Sequence, residues 1–193
     1  MDAASDRPAV VLMSQRARGS EQHTPVWVLA VLGVVGSAAL LGACWVSGHV
    51  HADAALLTVA RFLHIAALAV GMGAVLAVDW LAVLWMRGLR SLPEVLNTAR
   101  GLQVPIWGGL AGLLVTGLFL RPNLESSLTV VKVGLVLAIT LNGLYAHWLG
   151  QRLAPYKSGP VPRSLLVQSA AAAALSQTGW WGAALIGFLN SQS

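Results

Sequence analysis

Five long apolar runs, divided by short polar breaks, set the pattern of this chain. The longest lies at residues 60–86 and reads ARFLHIAALAVGMGAVLAVDWLAVLWM. A hydrocarbon core takes about 20 apolar residues in a helix that rises about 1.5 Å per residue, so this run crosses with some to spare. The pattern predicts helical spans over 25–47, 54–86, 104–120, 128–149 and 164–189. Pro25 suits a first helical turn. The GHVHA connection at 48–52 is short enough to force the first two spans to be antiparallel neighbours. Residues 87–103 hold Arg87, Arg90, Glu94 and Arg100, and Leu92 with Pro93 reads as a turn. Residues 1–24 are rich in Ser, Ala, Arg and Gln without apolar periodicity, which reads as a disordered cytoplasmic tail. No A-x-A-like cleavage pattern precedes the first run, so that span is expected to stay in the mature protein.

Lys and Arg gather in the tail, in 87–103 and in 151–163, while 48–52, 121–127 and the C-terminus hold almost none beyond Arg121. The positive-inside bias then orients every segment at once. The expected fold is all-α: a polytopic five-helix bundle of the inner cell membrane, N-terminus inside and C-terminus outside. Small residues recur on the spans. They include Gly33, Gly36 and Gly42, then Gly108 and Gly112 at GxxxG spacing, then Gly134, Gly143, an alanine run at 170–174, Gly179 and Gly182. Small residues let helix backbones approach where lipid provides no hydrophobic drive to associate. A tight bundle is expected, with most of the eight Trp near span ends as interfacial anchors.

Composition agrees with this class. Of 193 residues, 56% are apolar and 10% charged, where soluble domains run near a quarter charged. The net charge of +5 is distributed between the spans rather than over one face, which argues against nucleic acid as a partner and for the lipid bilayer. The single Cys44 excludes an internal disulfide and a CxxC motif. P-loop, GxSxG and HExxH patterns are also missing from the sequence.

Ionisable groups at membrane depth are costly and usually face a bundle interior. At about 100° per residue, Arg61, Leu68, Met72, Asp79 and Met86 share one stripe, with His64 to its side. Counting depth from the span ends puts His64 and Lys132 at one level near the outer surface, with Arg61, His49 and His51 above them. Asp79 and His147 lie near the inner surface. Two candidate sites follow: an outer one of Arg61, His64 and Lys132, and an inner one of Asp79 and His147. Their separation in depth keeps His64 and His147 from sharing one haem iron. Plain readings stand beside these. Arg61 and Lys132 can snorkel to headgroups, and His64 can be a neutral imidazole bonded to a neighbouring carbonyl. Asp79 can pair with Arg87 or His147 simply to hold helices together. His147 can belong to an interfacial belt with Trp148 and Arg152. His49 and His51 are solvated loop residues or copper or zinc ligands.

RFLHIAALAVGMGAVLAVDWLAVLW resembles the opening helix of the oxygen-independent protoporphyrinogen oxidase family, which begins K-x-x-H-I and runs on through an apolar stretch with a glycine. SSLTVVKVGLVLAITLNGLYAHWL is similar to that family's later helix, with a Lys at its outer end and a His further on. LAGLLVTGLFL with the same later stretch also resembles the copper-resistance protein D domain, where a T-G-L helix adjoins a K-x-x-L-V-L helix. The first resemblance implies a b-type haem at His64 and Lys132, with Arg61 at a propionate, and, if the chain is an enzyme, a membrane oxidoreductase. The second implies copper handling as a permease or accessory protein, with His49, His51 and His64 as an entry path. A structural subunit among other membrane subunits is the third expectation.

Overall fold

In a computed structural model of the chain, residues 24–120, 122, 125–156 and 159–192 are described. They form five long helices: α1 (Val26–Ser47), α2 (Ala54–Met86), α3 (Leu92–Gly117), α4 (Ser127–Leu153) and α5 (Arg163–Asn190). Short 3-10 turns at Leu118–Leu120 and Ala154–Tyr156 extend α3 and α4. Four helical stretches are long and apolar enough to cross a membrane: Val26–Ser47, Ala54–Met86, Leu92–Leu120 and Ser127–Tyr156. α5 has 28 residues, but Ser, Gln, Gly and Trp dilute its apolar content. The expected tail at 1–23 lies outside the described residues, whereas Thr24 is held, as described below.

Local chemistry sets the helix ends. Asp53 caps α2 by accepting from the Leu56 N–H at 2.8 Å. α3 begins at Leu92 rather than at Val104, so the span expected at 104–120 is the second half of a longer helix. Ser91 and Glu94 form a reciprocal capping box across its first turn, with Ser91 N–H donating to Glu94 at 2.9 Å. Pro93, expected in a turn, does not break the helix. It sits instead in the first helical turn, where a missing N–H costs no intrahelical bond.

The helices associate as two hairpins. α2 packs along α3, α4 along α5, and α1 lies on α4, while α2 also touches α5. Glycine makes the α2–α3 seam. A Cβ placed on Gly109 would lie 2.6 Å from Gly71 Cα and 2.8 Å from the Ala67 carbonyl oxygen. A Cβ on Gly112 would lie 2.9 Å from Ala67 Cβ. The seam therefore uses Gly109 and Gly112; Gly108, the expected partner of Gly112, faces open space. In the second hairpin, Gly179 and Gly182 abut Ile139 and Leu135 of α4.

Where the hairpins meet, Trp180 of α5 packs with Val75, Leu110 and Ile139. It is 1% exposed, so this Trp is a core residue at mid-bundle and not an interfacial anchor. Its indole N–H finds no acceptor among the described residues, and its role there is volume. Leu68 and Met72 of the expected α2 stripe pack on this cluster. Arg61 and Met86, at the ends of the stripe, are exposed. The stripe holds only where α2 has helices on both sides.

Candidate functional site

At the end of the bundle where α3 finishes, His64 of α2 meets Thr116 of α3. His64 Nδ1 lies 2.8 Å from Thr116 Oγ1. Thr116 donates its hydroxyl proton to the Gly112 carbonyl at 2.6 Å, so toward His64 it accepts. The imidazole therefore carries its proton on Nδ1 and keeps a lone pair on Nε2. A buried Thr on a glycine-packed helix fixes both the tautomer and the direction of the ring. Such a partner on the far nitrogen is what orients an imidazole for ligation.

Lys132 of α4 lies near enough for its charge to act on this imidazole. The two side chains come from different hairpins, and α2 and α4 make no extended packing contact. The space between them is a seam between hairpins. Arg61 lies one turn from His64 toward the helix start and is exposed, as are His49 and His51. His49 Nδ1 donates to the Trp45 carbonyl at 2.9 Å, and its ring lies 4.6 Å from that indole. His51 Nδ1 donates to the His49 carbonyl at 3.3 Å. Among the described residues, no three His, Cys, Asp or Glu side chains converge as a metal site, so His49, His51 and His64 do not form one cluster.

The expected inner site divides in two. Asp79 accepts from Gln177 Nε2 of α5 at 2.6 Å, and Gln177 Oε1 accepts from Trp181 Nε1 at 3.0 Å. This chain joins α2 to α5. His147 of α4 is engaged elsewhere. Its Nδ1 donates to Gln103 Oε1 at 3.2 Å, and its Nε2 accepts from Gln151 Nε2 at 2.9 Å. Thr24 Oγ1 lies 3.2 Å from the same Nε2. Gln103 brings in α3 and Thr24 brings in the chain just before α1, so this imidazole ties three parts of the fold together. Asp79 and His147 are engaged by different uncharged amides, Gln177 for Asp79 and Gln103 and Gln151 for His147. Arg152, the expected neighbour of His147 in an interfacial belt, lies 4.9 Å over the Trp148 ring.

His64 and His147 belong to opposite ends. Their α3 partners, Thr116 and Gln103, are separated by about 20 Å at 1.5 Å per residue. The expectation that they do not share an iron agrees with this spacing. Sequence reasoning missed Thr116, Gln103, Gln151 and Gln177. The signal for them was an uncharged polar residue inside or beside an apolar run. Thr116 even lies in the VTGL stretch that carries one of the resemblances. No protein-family model, curated protein or solved structure matches this chain.

Proposed function

We propose that the chain is a five-span inner-membrane protein, N-terminus inside, that binds a b-type haem at His64 and serves in electron transfer or oxidoreduction. The observation that carries the reading is the His64–Thr116 pair, which leaves Nε2 unprotonated and fixed in direction. The donor set suits the axial position of a haem iron: an oriented neutral imidazole with a second basic group across the seam. His64 would ligate the haem iron. Lys132 would be the second ligand or a propionate partner, and Arg61, one turn away, would meet a propionate. When bound, the haem would supply one-electron chemistry at its iron. The chain would supply the rest: a half-buried ring held by Thr116 and the cation of Lys132.

The fifth crossing is α5. It lies along α4 throughout, and Trp180 is buried at its centre. The test is the absorption spectrum of detergent-purified protein from cells making haem. A Soret band that disappears in His64→Ala supports the reading. A colourless protein that also takes up no added haemin overturns it. Copper bound through His49 and His51 would point to the copper-handling alternative, and a stable membrane partner with neither signal to a structural subunit.

A further inference from the structure

The opposite end of the bundle holds a second feature, a pocket of about 520 Å³. It lies where α2 stops, α3 starts and the α4–α5 turn comes back alongside. Gly88, at a φ of 71°, lets the chain leave α2 sharply, and Leu92 is buried beneath the turn. The walls include Trp85, Arg90, Ser91, Tyr156 and Val161. Tyr156 and Val161 also pack on the apolar cluster of Leu149, Leu153 and Leu165. The pocket therefore has an apolar floor, two amphipathic aromatics and a guanidinium.

The charge around it is mostly positive. Over residues 87–100 and the described part of 152–163, Arg87, Arg90, Arg100, Arg152 and Arg163 stand against Glu94 alone. Glu94 is held in the Ser91 capping box and its carboxylate also feels the Arg90 charge, so it offsets one of the five cations. Trp and Tyr favour the headgroup level of a bilayer, and basic pockets between helices at that level suit anionic headgroups. A guanidinium meets a phosphate diester through two parallel N–H donors. The apolar floor has no use for a free inorganic ion, but it suits the glycerol and upper acyl carbons of a lipid.

We propose that this pocket is a binding site for an anionic phospholipid, with Arg90 on the phosphate and Trp85 and Tyr156 flanking the headgroup. The inference rests on the chain crossing a bilayer and not on what His64 binds. The test is thermal unfolding of the full chain in detergent, followed by tryptophan fluorescence, with added phosphatidylglycerol, phosphatidylcholine or inorganic phosphate. Phosphatidylglycerol is expected to raise the unfolding temperature at about fivefold lower concentration than phosphatidylcholine, the scale of one basic residue at a membrane surface. Arg90→Gln should abolish that preference, and Arg90→Lys should keep part of it. Arg152→Gln, at the same end but outside the pocket, should leave it unchanged. Equal responses to the two lipids, an equal response to phosphate alone, or retention of the preference in Arg90→Gln overturns the proposal. So does equal loss in Arg90→Gln and Arg152→Gln, which would mean diffuse surface charge.

Discussion

Thr116 Oγ1 accepts a hydrogen bond from His64 Nδ1 at 2.8 Å because its own proton is already committed to the Gly112 carbonyl. One hydroxyl thereby decides which imidazole nitrogen is left for a ligand. Thr116→Val keeps the shape and removes the acceptor, leaving the His64 N–H without its partner. Loss of such a partner weakens a ligated metal by about 10–100-fold, and Thr116→Ser should restore most of it. Titration of the purified protein with haemin, followed by absorption, measures both. Equal affinity in Thr116→Val would show that the hydroxyl does not orient the ring.

The glycine seam makes a sharper prediction than the GxxxG pattern does. Gly109→Ala drives a methyl into the Gly71 backbone, which cannot yield as a side chain would. Overpacking of this kind costs about 1–3 kcal/mol. Gly108→Ala meets nothing within 4 Å and gains up to about 1 kcal/mol of helix propensity. Unfolding temperatures in one detergent should therefore move in opposite directions for the two neighbours.

Asp79 and Gln177 hold α2 to α5 through a 2.6 Å bond. Asp79→Ala leaves the amide without its acceptor, and Gln177→Leu leaves the carboxyl without its donor. Each should destabilise by about 1–3 kcal/mol. The double variant should cost less than the sum, because neither group is then left alone, with a coupling of about 0.5–3 kcal/mol. Equilibrium unfolding of the four proteins completes the cycle. Additive losses would mean that the bond contributes little.

The helices were legible in the sequence because the length of each apolar run fixes them. What could not be read was which neighbour each polar group takes. Asp79 and His147 are both suited to charged partners, yet Gln177, Gln103 and Gln151 reached them first. A residue count gives depth along a helix but not the rotation of one helix against another. Gly109 replaces Gly108 in the seam by the same logic, a turn of 100° that no run of apolar residues records. The start of α3 was misplaced because Pro93 breaks a helix interior but is tolerated in a first turn.

Topology is open to labelling. In a Cys44→Ser background the chain has no other cysteine. A membrane-impermeant maleimide on intact cells should modify His51→Cys and Gln192→Cys but not Leu89→Cys. Residues 51 and 89 flank α2, and residue 192 follows α5. Labelling of 192 only after lysis, together with 89, would show that α5 does not cross.

The reduced-minus-oxidised absorption spectrum of the purified chain, compared with His64→Ala and His147→Ala, reaches the central claim most directly. A b-type haem signal is expected in the wild type and in His147→Ala, whose imidazole is bonded to Gln103 and Gln151 about 20 Å away. The signal should be lost in His64→Ala. An unchanged spectrum in His64→Ala, or a haem signal that follows His147 instead, would contradict it.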